Sequence, residues 1–281
     1  MSCLDFSMNI SITHKNLSRF NRAFFDASNK FTYIGTGELG GKAAGLVLAK
    51  DIIDDNFESQ VFESIQINVP NLTVITTSFF DQFMRQNKLY EIAFSDQSNA
   101  RIAHVFQQAE LPMQLVGDLR ALIADVQTPL AIRSSSMLED AMYEPFAGIY
   151  GTKMIPNNQL DIDTRFRKLV EAIKFVYASV FFKEAKDYFK ATCHSIEDEK
   201  MAVIIQEVVG KRFGYRFYPH ISGVARSYNF YPAGKAKPED GVVNLALGLG
   251  KMIVDGGISW PYSPVLPRAN PPYNSIKELM K

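Results

Sequence analysis

Two short stretches of this 281-residue chain combine residue types that can grip an anion. The first is Gly35-Thr36-Gly37-Glu38-Leu39-Gly40-Gly41, which leads into Lys42 and an apolar helical stripe. Backbone N–H groups at a helix start attract anions, and glycines let a phosphate approach the main chain closely. The plainer alternative is an ordinary turn and cap. The spacing Gly35-x-Gly37-x-x-Gly40, with Asp54 and Asp55 about twenty residues on, also fits a dinucleotide fingerprint. That pattern wants a full strand before its first glycine and a train of βαβ units behind it. Phe31-Thr-Tyr-Ile34 is short, and no such train follows. A Walker A loop fails at Thr36, where glycine is needed, and at Ala43, where Ser or Thr is needed. The second stretch is Arg133-Ser134-Ser135-Ser136. An arginine closing an apolar strand presents a planar fork of donors at a strand end, and the hydroxyls and N–H groups behind it add oxyanion contacts. A salt bridge is the plainer role for such an arginine. Ser136 with Glu139 spells a capping box, and Glu139-Asp140 could instead serve a metal or a ribose.

Other chemistry-bearing residues show no such pattern. His14, His104, His194 and His220 have no partner spacing for a metal or a nucleophile relay. Cys3 and Cys193 are too far apart in sequence to suggest a disulfide framework or a metal knuckle, which points to reduced thiols. Thirty Lys and Arg balance thirty Asp and Glu, so the whole-chain charge is zero. A neutral chain has no bulk field favouring nucleic acid or an anionic membrane, and any anion site must be built locally. No run approaches the ~20 apolar residues of a membrane span, and no basic and apolar leader opens the chain. A cytoplasmic protein is the expectation, with no nucleic-acid or membrane partner.

The elements that must position the two stretches are legible from periodicity. Leu17, Phe20, Phe24 and Phe25 recur at helical spacing, and a second helix runs from Lys42 to about Asp54. Leu72-Thr-Val-Ile-Thr76 and Pro129-Leu-Ala-Ile-Arg133 predict short buried strands. Helices are predicted over Phe79–Tyr90 and Arg101–Ala109, and after Pro112 over Leu115–Ile123. The longest helix is expected from Thr164 to Ala191 with nothing to break it, its stripe of Phe166, Leu169, Ile173, Val176, Tyr177, Val180 and Phe181 being core. Met201–Val209 is nearly all apolar and predicts a central strand. Further strand candidates lie at Phe213–Tyr218, Ile221–Tyr231 and Gly241–Leu247. The organisation expected is a helix-rich lobe over 17–198, a strand-rich lobe over 199–259 and a Pro-rich linker or strap over 260–281.

Several motifs occur in one order: Gly40-Gly41-Lys42-Ala-Ala-Gly45-Leu46, Val74-Ile-Thr-Thr77, Ala131-Ile-Arg-Ser-Ser-Ser136, Phe146-Ala-Gly148, Ala202-Val-Ile-Ile-Gln206-Glu-Val-Val209, Ile221-Ser-Gly-Val224 and Gly248-Leu-Gly250. This order resembles the N-terminal ATP-binding domain of the phosphoenolpyruvate synthase and pyruvate phosphate dikinase family, over about Tyr33 to Gly257. The resemblance implies an α+β, ATP-grasp-like fold in which two lobes clamp a nucleotide. It implies that Lys42 and Arg133 contact ATP phosphates, with Gly40, Gly41, Ser134, Gly248 and Gly250 around the nucleotide. Gln206, Glu207, Val208 and Val209 match the adenine hinge. Asn244 is the candidate ligand for Mg²⁺, which would bridge phosphate oxygens. The implied activity is phosphorylation of a histidine on a separate swivelling domain, with a pyruvate- or phosphoenolpyruvate-type domain supplied in cis or in trans.

The sequence departs from the family pattern at three places. Gly248-Leu-Gly-Lys251 has a base where the family has an acid, Ile258-Ser-Trp-Pro-Tyr262 replaces a Val-Asn-Pro-Asp-like run, and Arg226-Ser-Tyr-Asn229 replaces a Thr-x-x-Pro run. Two rivals therefore stand beside the phosphotransferase: a non-catalytic nucleotide sensor of the same fold, and an NAD-dependent oxidoreductase resting on the glycine spacing alone.

Overall fold

Apolar β-branched runs too short for helices supply the strands around which the chain folds. The computed structural model describes residues 17–22, 31–56, 65–136, 138, 148–192, 194–232, 234–254 and 259–266. Cys3, His14, Phe24, Phe25, Glu139, Asp140, Phe146, Cys193, Ile258 and 267–281 lie outside them, and with them the Glu139-Asp140 pair and most of the Pro-rich tail. The chain divides into two compact units, Met1–Val208 and Val209–Lys281. It is a mixed α and β protein.

The first unit contains β1 (Ser18–Arg19), β2 (Phe31–Ile34), α1 (Gly41–Asn56), β3 (Leu72–Ile75), α2 (Thr77–Gln86), α3 (Tyr90–Phe94), α4 (Asn99–Gln108) and α5 (Met113–Asp125). After these come β4 (Leu130–Ser136), β5 (Thr152–Ile155), α6 (Ile162–Ser179), α7 (Lys183–Ala191) and β6 (Met201–Glu207). Its six-stranded sheet has the order β1-β2-β3-β6-β4-β5. The pairs β1–β2 and β2–β3 are parallel, and the remaining three are antiparallel.

Strand side chains alternate between faces, so each apolar run feeds two cores. Phe31, Leu72, Val74, Ala202 and Ile204 form one core with Ala43 and Val47 of α1. Ile34, Ile75, Ile132, Met201, Val203 and Ile205 belong to the larger core, with the buried stripes of α2, α4, α5 and α6. Aromatic rings fill its centre: Phe80 meets Tyr177 edge-on at 5.2 Å, and Phe83 lies 5.9 Å from Phe106 and 5.4 Å from Tyr177. Each such ring withdraws enough apolar surface to contribute roughly 1.5–3 kcal/mol.

Tyr177 is fully buried in that cluster, and its hydroxyl has no hydrogen-bond partner among the described residues. Burial also pushes its pKa up, away from any physiological titration. An unsatisfied buried hydroxyl costs about 1–3 kcal/mol. Tyr177→Phe is therefore expected to leave stability unchanged or raise it by up to about 2 kcal/mol, as read by urea unfolding. A loss of more than 1 kcal/mol on this scale would mean that the hydroxyl is satisfied.

The structure corrects four expectations. The 17–25 segment is not a helix in its described part: Ser18 and Arg19 pair with Thr32 and Tyr33, and the Phe20 N–H donates to the Tyr33 carbonyl at 2.9 Å. Sheet pairing outweighs a four-residue periodicity there. The long helix breaks between α6 and α7 at Val180-Phe181-Phe182. Val and Phe are only moderate helix formers, and the Asn99 side chain accepts from the Lys183 N–H at 2.7 Å, capping a new start. Phe181 turns into the aromatic cluster, stacked 6.3 Å from Phe80. The helix expected over Phe79–Tyr90 is likewise split, into α2 and α3, by a turn in which Lys88 has φ 51°. Finally, β6, grouped by its sequence with the strand-rich lobe, lies between β3 and β4 in the first unit and is buried almost throughout.

The second unit holds β7 (Lys211–Phe213), β8 (Arg216–Tyr218), β9 (Ile221–Arg226), β10 (Val242–Leu247), the short α8 (Lys251–Val254) and β11 (Trp260–Tyr262). β7 and β8 make a two-stranded ribbon, and β11-β10-β9 make an antiparallel sheet. The first residues of the Pro-rich tail are thus a strand, with Asn244 opposite Pro261.

Candidate nucleotide site

The glycine loop is the β2–α1 connection of a parallel β2-α1-β3 unit, and its shape is set by hydroxyls at the β3–α2 junction. Thr76 Oγ1 donates toward the carbonyls of Ile34 (3.1 Å) and Thr36 (2.7 Å). The Thr36 N–H donates to Ser78 Oγ at 3.2 Å, and the Glu38 N–H to Thr77 Oγ1 at 3.0 Å. Gly35, Gly37 and Gly40 have φ of 102°, 98° and 77°, a region L side chains rarely adopt. Gly40 is also the point of closest approach to β4, since a Cβ there would sit 1.8 Å from the Ser135 carbonyl oxygen.

Ser135 then fixes the helix that follows. Its hydroxyl accepts from the Ala43 N–H at 3.0 Å and donates to the Leu39 carbonyl at 2.9 Å. It caps α1 from a strand 92 residues away in sequence. Lys42, half-buried in the first turn of α1, extends to Ser134, with Nζ 3.3 Å from the hydroxyl and 3.5 Å from the carbonyl. Lys42 therefore meets β4 one residue from Arg133. Arg133 is half-buried, and its Nη1 donates to Gln206 Oε1 at 3.1 Å. The register explains that bond: Arg133 lies opposite Ile204 and Ala131 opposite Gln206, so Arg133 and Gln206 are diagonal neighbours on one face of β4–β6.

Lys42, Arg133, Ser134 and Gln206 thus converge on β4 and β6, together with Gly40. The serine run departs from its expected role. Arg133 does not close the strand, because β4 continues to Ser136, which pairs with Met201. All three serines are buried, and two hydroxyls serve the protein itself: Ser135 holds α1, and Ser136 accepts from the Leu138 N–H at 3.2 Å. Pairing with the apolar β6 carries these small residues into the interior, where sequence polarity alone suggests a loop.

The remaining expected residues are placed more plainly. Glu207 accepts from Asn71 Nδ2 at 2.9 Å and from Thr128 Oγ1 at 2.7 Å, so both carboxylate oxygens brace neighbouring loops. The Val208 N–H donates to the Pro129 carbonyl at 2.9 Å, and Val209 is exposed at the start of the second unit. Within that unit the Gly248 N–H donates to the His220 carbonyl at 2.9 Å, while Ser222 Oγ donates to the Gly248 carbonyl at 2.6 Å. Gly250 packs on Ser222, where a Cβ would come within 2.8 Å of the serine Cβ. Lys251 is exposed at the start of α8.

A family model of the pyruvate phosphate dikinase AMP/ATP-binding domain matches residues 36–270. The chain belongs to this family. The match takes in the glycine loop, Lys42, the β4 and β6 residues and the Gly248-Leu-Gly turn of the second unit, so the converging residues lie in an ATP-binding domain. A search of curated proteins gave no match.

Membership also weighs on the dinucleotide rival. Although β2-α1-β3 is a parallel unit, the next two pairings in the sheet, β3–β6 and β6–β4, are antiparallel. The acidic residues of the fingerprint are misplaced too: Asp54 and Asp55 lie in the last turn of α1, where Asp54 pairs with Lys50, rather than at the end of β3.

Asn244 sits on β10, opposite Val224 and Pro261, and its Oδ1 accepts from Ser259 Oγ at 3.3 Å. Among the described residues no group of three or more His, Cys, Asp and Glu side chains could hold a metal ion. A neutral amide oxygen beside a serine hydroxyl does not fit a protein-built Mg²⁺ cage, since that ion is usually held by one or two carboxylates plus phosphates and waters. No helix among the described residues is long and apolar enough to cross a membrane.

Proposed function

We propose that this chain is the ATP-binding part of a phosphoenolpyruvate synthase/pyruvate phosphate dikinase-like phosphotransferase, with an ATP-grasp-like pair of lobes closing on the nucleotide. ATP phosphorylates a histidine on a separate swivelling domain: the bond from the transferred phosphorus to its bridging oxygen breaks as a bond to the imidazole nitrogen forms. A pyruvate- or phosphoenolpyruvate-type domain, in cis or in trans, then takes the phosphoryl group. One observation supports the site assignment: Lys42 reaches Ser134, the residue next to Arg133 on the buried strand β4 beside a glycine loop, although the two cations are 91 positions apart. Such fixed donors offset phosphate charge as it redistributes in the transition state. Gln206 and the residues after it form the adenine hinge, and Gly248 and Gly250 line the nucleotide. Mg²⁺ would supply neutralising charge to the phosphates, and Asn244 would offer it at most one oxygen.

Calorimetry with ATP and NAD, each with and without Mg²⁺, tests this reading. ATP is expected to bind more tightly with Mg²⁺ present, and NAD is expected not to bind. No heat with ATP would sink the reading. A second reading, a nucleotide sensor without catalysis, is favoured by the commitment of Asn244 to Ser259 and by Lys251. ATP affinity that ignores Mg²⁺ would select it.

A further inference from the structure

A chain of zero net charge conceals a strongly segregated one. From Val208 to Pro238 there is no acidic residue, while Lys211, Arg212, Arg216, Arg226, Lys235 and Lys237 supply six positive charges among seven aromatic residues. All six cations are exposed, and none has an ion-pair partner among the described residues. Exposed charges elsewhere in a balanced surface normally find opposite neighbours, so a stretch this one-sided is an electrostatic footprint.

The ribbon β7–β8 gives the footprint a shape. Register places Lys211 opposite Tyr218 and Phe213 opposite Arg216, so cation and ring alternate on one face, with Arg212 and Phe217 on the other. Phe213 and Tyr218 stack at 4.6 Å with planes 21° apart, and the His220 ring meets Phe213 edge-on at 5.4 Å. Gly214, at φ 60°, turns the ribbon and leaves Tyr215 fully exposed at its tip. Exposing a whole tyrosine and half-exposing further rings on a two-stranded ribbon contributes nothing to a core. Two same-face neighbours along a strand lie about 6.8 Å apart, so rings and cations can engage successive units of a polymer.

We propose that the β7–β8 ribbon binds single-stranded nucleic acid, with Lys211, Arg212 and Arg216 on phosphates and Tyr215 and Phe213 stacked on bases. Single strands are favoured over duplex because only unpaired bases offer their faces to exposed rings. They are favoured over an anionic membrane because the exposed rings of the ribbon are a tyrosine tip and a stacked pair, with no long aliphatic side chain to enter lipid. This surface is independent of the ATP reading.

The test is fluorescence anisotropy of the whole chain with labelled oligo(dT) and oligo(U) of about twenty nucleotides, titrated across salt. Binding to either oligonucleotide is expected, weakening steeply as salt rises. Lys211→Ala/Arg212→Ala/Arg216→Ala is expected to make the log–log salt slope shallower by about 2. Tyr215→Ala removes no packed atom, so it tests stacking without threatening the fold, and is expected to weaken binding about 5- to 150-fold. Three results would overturn the proposal: no binding to either strand at low salt, equal binding of a duplex with no effect of Tyr215→Ala, or binding only to phosphatidylserine vesicles. ATP calorimetry on the same variants is expected to match the unsubstituted chain, which separates failure of this surface from failure of the nucleotide site.

Discussion

Gly40→Ala is expected to lower stability by roughly 2–5 kcal/mol and to abolish ATP binding, although it adds a single methyl group. Two costs combine at this position. A non-glycine residue at φ 77° is strained, and the added Cβ would lie 1.8 Å from the Ser135 carbonyl oxygen and 2.4 Å from its carbon. Both atoms are main chain in the buried strand β4, so no side-chain rotation relieves the overlap. Either the glycine loop lifts from β4 or β4 leaves β6. The first movement withdraws Ala43 from the Ser135 hydroxyl and Lys42 from Ser134. Thermal unfolding is expected about 5–15 °C lower, at a few degrees per kcal/mol for a protein of this size.

Gly45 supplies the internal comparison. It lies in the same helix, has ordinary helical φ, and a Cβ there meets nothing within 4 Å. Gly45→Ala is expected to raise stability by about 0.4–1 kcal/mol, by restricting the unfolded chain. If the two substitutions shift the melting midpoint alike, the close packing of the loop on β4 is wrong. If Gly40→Ala melts low and Gly45→Ala does not, the defect is local to that contact rather than to glycine content in α1.

The same contact shows where sequence reasoning reached and where it stopped. Helices α4 and α5 carry their own stripes, and strands β3 and β6 are short β-branched runs, so local pattern places them. The Val180–Phe182 break is invisible locally, because its cap is Asn99, some eighty residues earlier. The serine run looks like a polar loop, and only pairing with Met201–Val203 makes it a buried strand. Of the site, the glycine loop with Lys42 and the Arg133 segment are both legible as separate anion-binding candidates. Their meeting follows only from the family resemblance and not from local pattern, because the β4–β6 register and the Ser135 hydroxyl that bring them together depend on distant partners. The neutral total charge hides local pattern in a related way: it sums over the chain, while the acid-free stretch from Val208 to Pro238 shows only position by position.

Arg133→Ala and Lys42→Ala are each expected to weaken ATP binding roughly 10- to 150-fold, the cost of about 1.5–3 kcal/mol for a charge-assisted hydrogen bond to phosphate. Their side effects should differ, and this difference identifies the roles. Lys42 leans on a hydroxyl and a carbonyl of Ser134, so its removal is expected to affect affinity more than stability. Arg133 holds Gln206 Oε1 in a buried part of the sheet, so its removal also leaves an acceptor without its donor, at a cost of about 1–3 kcal/mol in unfolding free energy. Arg133→Lys is not expected to restore binding, since one ammonium cannot reach both Gln206 and a phosphate as a guanidinium fork can. Gln206→Ala completes a double-mutant cycle. If Gln206 aims Arg133 at the phosphates, the double substitution should bind ATP no worse than Arg133→Ala alone. Additive losses would instead give Gln206 its own contact with the nucleotide. Should Arg133→Ala bind ATP as the unsubstituted chain does while unfolding more easily, Arg133 is a brace for Gln206 and the phosphates are held by Lys42 and the glycine loop.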